Sequence, residues 1–354
     1  MNRIQKLQEK LAANSAALVF SPHNRFYFTR FPSTDGILFV TREAAVFLID
    51  SRYVEAARAE AKDCDVQLLE SLAKQLPALA ARYGVKTVGI EAYDLPVFEA
   101  RRFAQMLPGV AFDESAALSR TIARLRMIKE PEELASMDKA QKITELAYDH
   151  ILSYLKPGVT ERDIQLETEY FMKKNGASGP SFDLITIFGE TTSRPHGVPG
   201  DRKLKPGDFV TMDTGCIVDG YCSDMTRTVA VGHVTEEQKK VYDTVLKAQL
   251  AAEEALKPGK RCCDVDKIAR DIIDGAGFEG CFGHGLGHSV GVLIHEEPRL
   301  SPSCDTVLEP GMTMTIEPGI YLEGRFGVRI EDMAVLTQDG CSIFTKCPKE
   351  LVVL

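Results

Sequence analysis

The sequence has no apolar run as long as the roughly 18–20 residues that a membrane-spanning helix requires. Its first twenty residues also lack the apolar block and the small-residue cleavage site of a signal peptide. None of the nine cysteines forms a C-x-x-C pair, and their odd number argues against a disulfide framework or a thiolate zinc site. Free thiols in a reducing cytoplasm explain this cysteine usage better, so we expect a cytoplasmic protein without a membrane segment.

An excess of positive charge is absent as well. The chain carries 42 Lys and Arg against 51 Asp and Glu, a net charge of −9, which argues against binding to a nucleic-acid backbone. The composition, 44% hydrophobic and 26% charged, is that of a globular protein with a large core. At roughly 150 residues per domain, a length of 354 residues predicts two domains.

The first third of the chain alternates between predicted helices and strands. Helices are predicted at residues 2–13, 53–61 and 71–83, and strands at residues 16–20, 36–41, 45–49 and 85–91. This alternation predicts an α/β module, which we place at residues 1–124. A break is expected near residues 120–129. Pro131 and the acids around it then predict a helix that reaches about residue 155, and Thr160 predicts the start of another that reaches about residue 174.

The second domain, residues 125–354, contains an internal repeat. Lys156-Pro157-Gly158 recurs as Lys257-Pro258-Gly259, and a second pair of Pro-Gly turns precedes the predicted strands that hold Asp213 and Glu317. We therefore predict two related halves, each with helices followed by a β-hairpin. Each half brings a carboxylate to the equivalent strand position.

The first hairpin places two acids on one face. Its turn is predicted at Asp219-Gly220, a strong signal for a two-residue loop. That loop puts Asp213 opposite Thr226, with Asp224 as the diagonal neighbour of Asp213. A loop shifted by one residue would instead put Asp213 directly opposite Asp224. Both registers bring the two aspartates together.

The second hairpin does the same with two glutamates. A three-residue loop centred on Gly324 pairs Glu317 with Glu331 on one face of otherwise apolar strands. Four carboxylates that face a core cannot all stay ionised without cations, because burial and mutual repulsion raise their pKa values. Two divalent cations would balance them, and carboxylates can bridge two such ions.

Histidines near these acids would favour transition metals over other divalent ions. The segment of residues 282–298 contains His284, His288 and His295, and His196 lies in a loop-like stretch. The glycines of this segment do not match the G-x-G-x-x-G nucleotide motif, because Val290 occupies the position of the third glycine.

Five of these residues match, in order and spacing, the metal ligands of a known family: Asp213, Asp224, His288, Glu317 and Glu331. The family is the proline-specific branch of the pita-bread metallopeptidases, which includes prolidase (Xaa-Pro dipeptidase) and aminopeptidase P. Four motifs around the acids resemble its consensus: Met212-Asp213-Thr214-Gly215, Ser223–Thr228, Ile316-Glu317-Pro318-Gly319 and Arg329-Ile330-Glu331-Asp332. Asp50-Ser51-Arg52-Tyr53 extends the resemblance into the first domain, whereas Ser289 departs from the glycine that many relatives have there.

The resemblance implies an α+β architecture. An N-terminal α/β domain of the creatinase/prolidase type, concerned with dimerisation and cleft closure, would precede a pseudo-symmetric pita-bread catalytic domain. The five ligands would hold two divalent metal ions, with manganese the first choice and cobalt or zinc as alternatives. Asp224 and Glu331 would bridge both ions, Asp213 would bind one, and His288 with Glu317 would bind the other.

The resemblance also implies roles for the residues around the metals. His196 and His295 would hydrogen-bond the substrate carbonyl and the tetrahedral intermediate, and Glu317 would act as general base. Arg329 would hold the carboxylates of the site in place. Phe182 would lie near the proline pocket, Arg299 would bind a substrate carboxylate, and His284 would support the site.

The expected function is hydrolysis of the X-Pro bond of short peptides by a metal-bridging hydroxide. The expected substrate is a small peptide with proline in second position, and the expected assembly is a homodimer. An Xaa-Pro aminopeptidase that acts on longer peptides is the main alternative. A methionine aminopeptidase shares the five ligands but does not account for the N-terminal domain. A non-catalytic binding protein of the same fold would not need all five ligands.

Overall fold

The structure, a computed structural model, describes all 354 residues. The chain divides into two compact units, Met1–Arg126 and Met127–Leu354. The break expected near residues 120–129 is shorter than predicted, because a helix at Ala117–Met127 covers most of that range. No helix is both long and apolar enough to cross a membrane. All nine cysteines are free thiols.

The first unit is a mixed six-stranded sheet with helices between its strands. The strands are β1 (Ser15–Val19), β2 (Ile37–Thr41), β3 (Ala45–Ile49), β4 (Asp65–Leu68), β5 (Thr87–Ile90) and β6 (Ala111–Asp113). The helices are α1 (Arg3–Gln8), α2 (Pro22–Thr29), α3 (Val54–Glu60), α4 (Leu72–Arg82), α5 (Val97–Met106) and α6 (Ala117–Met127). The strand order is β4-β3-β2-β1-β5-β6. The pairs β1–β2 and β2–β3 are antiparallel, and the other three pairs are parallel.

Burial explains which of these elements were predicted from the sequence. Every residue of β2 and β3 is buried, and strands covered on both faces have continuous apolar sequences. The partly exposed strands β4 and β6 lack that signal, and they were missed together with α2 and α5. Helix α1 ends at Gln8 and is shorter than predicted, because residues 9–13 form turns instead. Asn14, which has a φ of 56°, then leads the chain into β1.

The second unit is α+β, as the sequence predicted. Its helices are α7 (Pro131–Leu152), α8 (Glu161–Lys174), α9 (Glu236–Ala255) and α10 (Cys262–Ile273), with a 3-10 helix at Gly189–Ser193 and a π-helical turn at Asp274–Phe278. Its strands are β7 (Gly179–Pro180), β8 (Ile185–Phe188), β9 (Phe209–Thr214), β10 (Cys216–Val218), β11 (Tyr221–Cys222), β12 (Met225–Ala230), β13 (Gly287–Ser289), β14 (Glu296–Leu300), β15 (Thr313–Ile316), β16 (Gly319–Leu322), β17 (Phe326–Arg329), β18 (Asp332–Leu336) and β19 (Cys341–Ile343). The main sheets have the orders β12-β9-β8 and β15-β18-β19.

The second unit consists of two similar halves, which confirms the predicted repeat. In each half a pair of helices precedes the strands: α7 and α8 pack with β8, β9 and β12, whereas α9 and α10 pack with β15 to β18. The N-cap residue of the second helix also forms an isolated β-bridge at the equivalent place in both halves. Thr160 pairs with Lys203 in the first half, and Arg261 pairs with Val307 in the second. The two halves therefore present their β-hairpins in corresponding positions.

The repeated Lys-Pro-Gly turns depend on left-handed glycines, and this gives a stability prediction. Gly259 has a φ of 85°, so Gly259→Ala should lower the free energy of unfolding by about 1 kcal/mol although a new Cβ would meet nothing within 4 Å. Gly275 also has open space around its Cβ position but no positive φ, so Gly275→Ala is the matched control and should be neutral or stabilising. The midpoints of urea unfolding compare the two variants. Equal midpoints would contradict this explanation of the turn.

Candidate metal centre

The first hairpin has the register that a two-residue loop predicts. Val218 pairs with Tyr221, and Asp213 pairs with Thr226. The two loop residues, Asp219 and Gly220, have φ values of 50° and 79°, as the tight hairpin turn requires. The alternative register, with Asp213 directly opposite Asp224, is therefore wrong.

The second hairpin also has the predicted register. Ile316 pairs with Asp332, and Gly319 pairs with Arg329, so Glu317 and Glu331 lie opposite one another between these pairs. The loop is formed by residues 323–325, because Leu322 pairs with Phe326. Each half of the unit thus contributes two carboxylates from one hairpin.

The acids of the two hairpins converge on His288. One ligand atom each from Asp224, His288 and Glu331 lie within 4.8 Å of one another. The Nε2 atom of His288 is 3.6 Å from Oδ2 of Asp224 and 3.4 Å from Oε1 of Glu317. Asp213 lines the same cavity as these four residues. The structure therefore brings together all five residues that the sequence singled out as metal ligands.

Hydrogen bonds from neighbouring residues orient the side chains of Asp213 and Glu331. The guanidinium of Arg329 donates to Oδ2 of Asp213 at 2.6 Å and to the hydroxyl of Thr226 at 3.1 Å. The Thr226 hydroxyl in turn donates to Oε2 of Glu331 at 2.7 Å. Arg329 lies within a buried strand and holds carboxylates of both hairpins, directly or through Thr226.

The imidazole of His288 is oriented in the same way. Its Nδ1 donates to the carbonyl of Ser289 at 3.1 Å, so Nε2 keeps a lone pair directed at the carboxylates. The hydroxyl of Thr315 accepts the backbone N–H of His288 at 3.0 Å and donates to Glu317 at 3.1 Å. One threonine thus fixes a histidine and a glutamate together.

Because the cluster is buried, the negative charge of its carboxylates is unfavourable unless cations compensate it. Burial and the neighbouring acids raise the pKa values of Asp224 and Glu331 well above their usual range, and burial raises the pKa of Glu317 to about 7. Burial, reinforced by the nearby His295, lowers the pKa of His288 to about 3, so this imidazole is neutral and able to bind a metal.

The residues present fit divalent metal ions. Oδ1 of Asp213 is buried and has no hydrogen-bond partner, which is the state expected of an atom reserved for a cation. Four carboxylates and one neutral imidazole are ligands that manganese, cobalt and zinc accept. Bound cations would also favour the ionised forms of the buried acids and so lower their raised pKa values.

The cavity above this cluster has a volume of about 740 Å³ and is lined by every other predicted site residue: Phe182, His196, His284, His295, Arg299 and Arg329. His295 lies edge-to-face against His288, with ring centroids 4.5 Å apart. His196 and His295 are both exposed to the cavity, and Phe182 is half-buried in its wall. Arg299 is exposed as well, and its guanidinium has no ion-pair partner.

Tyr321, which no sequence motif indicated, continues the network behind the five candidate metal ligands. Its hydroxyl accepts a hydrogen bond from Arg329 at 3.0 Å and donates to Nε2 of His284 at 2.9 Å, while Nδ1 of His284 donates to the carbonyl of Gly285 at 2.8 Å. Two-residue alternation from Glu317 places Tyr321 on the same face of the hairpin, and this is the signal that could have found it. Gln165, Asp183 and Val198 also line the cavity without any sequence signal.

Metal-type ligands held at the base of a cavity, in an α+β unit built from two similar halves, define a metal-dependent hydrolase. The chain belongs to metallopeptidase family M24, whose family model matches residues 135–338. The model of the creatinase/prolidase N-terminal domain matches residues 3–128.

Several relatives are similar over nearly their whole length. The Xaa-Pro dipeptidase of Pyrococcus horikoshii is 36% identical and is matched over 99% of this chain and 98% of its own. The solved structure of an Xaa-Pro dipeptidase from Bacillus anthracis has a TM-score of 0.95 at 36% identity and covers 99% of both chains. The X-Pro aminopeptidase from Thermotoga maritima has a TM-score of 0.92 at 31% identity and covers 98% of this chain and 100% of its own.

The contacts of Arg329 give a prediction about metal affinity. Arg329→Met removes the hydrogen bonds to Asp213 and Thr226, so the affinity for Mn²⁺ should fall by roughly 10–100-fold. Arg325→Met is the control, because Arg325 lies in the exposed hairpin loop and contacts Glu237 at the surface. Isothermal titration calorimetry with Mn²⁺ measures both affinities. Unchanged affinity in Arg329→Met would contradict the role given to this arginine.

Proposed function

We propose that the protein is an Xaa-Pro dipeptidase, an enzyme that hydrolyses the peptide bond before proline in short peptides. One observation carries the proposal: five metal-type ligands converge at the base of a cavity whose wall presents an unpaired cation, Arg299. The Xaa-Pro dipeptidases of P. horikoshii and B. anthracis, which resemble this chain from end to end, support it.

We propose that Asp213, Asp224, His288, Glu317 and Glu331 hold two divalent ions. Such ions, when bound, supply a nucleophilic hydroxide near neutral pH and polarise the substrate carbonyl. The unsatisfied oxygen of Asp213 and the raised pKa values of Asp224 and Glu331 support this assignment. Manganese is the proposed native metal, with cobalt and zinc as alternatives.

The chain's own residues would then orient the substrate and move its protons. His196 and His295 face the cavity, where each can donate one N–H to the carbonyl oxygen as negative charge develops on it. Glu317 would take the proton of the attacking water and return it to the proline nitrogen, which needs a proton to leave as an amine. Arg329 keeps Asp213 and Glu331 in place during these steps.

Two further residues would select the substrate. The Arg299 guanidinium is suited to the carboxylate that directly follows proline in a dipeptide. The ring of Phe182 offers an apolar surface for the proline ring. An Xaa-Pro aminopeptidase acting on longer peptides is the second candidate, because the aminopeptidase of T. maritima is also similar over the whole chain.

We also propose a cytoplasmic homodimer. The nine free cysteines support a reducing compartment. The dimer is an expectation from the family, and size-exclusion chromatography coupled to light scattering tests it.

The proposed role of Arg299 predicts substrate preference. Turnover of Ala-Pro should exceed that of Ala-Pro-Ala, and Arg299→Gln should reduce kcat/KM for Ala-Pro by roughly 10–100-fold, mainly through KM, because a charge-assisted hydrogen bond is lost. Ala-Pro-amide is the matched control substrate, since it lacks the carboxylate and should respond little to this substitution. If the wild type prefers Ala-Pro-Ala, and if Arg299→Gln does not change that preference, the aminopeptidase would be favoured instead.

The metal assignment predicts a second outcome. Dialysis against EDTA should abolish turnover of Ala-Pro, and Mn²⁺ should restore it in the wild type but not in Asp224→Asn, which lacks a central ligand. Elemental analysis should find two metal ions per chain in the reloaded wild type and a deficit in the variant. Full activity of Asp224→Asn, or of the metal-free wild type, would contradict the proposal.

A further inference from the structure

His295 lies on a loop that has no regular structure of its own. The loop comprises residues 290–295 and connects β13 to β14. His295 is exposed to the cavity, and its ring contacts only that of His288 among the aromatic side chains. No hydrogen bond from the protein holds the imidazole, so its position depends on the backbone of the loop.

A buried ion pair lies directly against this loop. Nζ of Lys129 donates to Oε2 of Glu296 at 3.0 Å and to the hydroxyl of Ser289 at 3.2 Å. The two charged side chains are only 1% and 4% exposed. Ser289 and Glu296 are the paired residues at which the loop begins and ends, so Lys129 bridges its two ends.

The carboxylate of Glu296 also reaches into the loop. Its Oε1 accepts the backbone N–H of Leu293 at 3.1 Å, and Gly291 packs so closely on it that a Cβ there would lie 2.6 Å from the same oxygen. On the other side, the carbonyl of Gly291 accepts the backbone N–H of Cys222, two residues before Asp224. The loop is therefore fixed between Glu296 and the hairpin that carries a metal ligand.

We infer that Glu296 is a positioning residue for His295 and that Lys129 is its buried counter-ion. Lys129 neutralises the Glu296 carboxylate, and Glu296 holds the Leu293 amide and thus the loop that presents the imidazole. This inference rests on the proposed function, because it assigns the loop a part in the hydrolysis. Misplacement of such a group by about 1 Å can cost roughly 100-fold in rate.

Charge balance and loop anchoring can be separated by two double variants. Lys129→Met with Glu296→Gln and Lys129→Met with Glu296→Leu both remove the buried pair, and replacement of a buried pair by neutral residues is often tolerated. Only glutamine keeps an oxygen that can accept the Leu293 N–H. Lys129→Met alone leaves a buried carboxylate without its lysine and should lower the melting temperature.

The kinetic comparison uses the metal-loaded enzymes and Ala-Pro as substrate. The Gln-containing double variant should keep a kcat near that of the wild type, whereas the Leu-containing one should lose roughly ten-fold or more in kcat with little change in KM. In a His295→Ala background the two should have equal kcat values. Equal kcat values with His295 present, or a difference that persists without it, would overturn the inference.

Hydrogen exchange followed by mass spectrometry gives a readout that does not depend on turnover. The peptide that covers residues 290–296 should exchange faster in the Leu-containing variant than in the Gln-containing one, with other peptides unchanged. Equal exchange would overturn the anchoring role. A wild type that hydrolyses neither Ala-Pro nor Ala-Pro-Ala would instead contradict the proposed function, so the two failures are distinguishable.

Discussion

Four carboxylates share the base of one buried cavity, and most of the catalytic unit is arranged around that constraint. Asp224 and Glu331 are almost fully buried, and both burial and mutual repulsion disfavour their ionised forms. Arg329 is the one buried cation in direct contact with this group, through Asp213. The remaining negative charge is what divalent cations would balance, and their binding would also stabilise the folded state by mass action.

The pseudo-symmetric fold is what brings these acids together. Each half supplies one hairpin with two acids, and each hairpin is supported by its own pair of helices. His288 comes from a separate two-stranded element, and Thr315 ties it to Glu317. The histidine and the cavity-facing Arg299 lie on the paired strands β13 and β14. A single strand pair thus connects the proposed metal ligand to the proposed substrate-binding residue.

The convergence of the four carboxylates could be predicted because the geometry of the two hairpins follows from local rules, whereas His288 was identified only by the match to the ligand spacing of a known family. A two-residue turn at Asp219-Gly220 and a three-residue turn around Gly324 set the register of the hairpins, and register determines which acids face one another. The Lys129–Glu296 pair was not found, because its two residues lie far apart in sequence. Tyr321 lies on the face that two-residue alternation from Glu317 defines, but no motif marks it. The contact of Lys129 with Glu296 spans more than 160 residues, and no local pattern encodes it. In the first unit, the partly exposed strands β4 and β6 were not predicted, because the apolar pattern in their sequences is weak.

Two metal ions are proposed to lie among the four carboxylates and His288. Anomalous diffraction from crystals grown with Mn²⁺ would locate them. Two anomalous peaks about 3.5–4 Å apart are expected, both within bonding distance of Asp224 and Glu331. The absence of any peak between these residues in crystals of active enzyme would contradict this proposal.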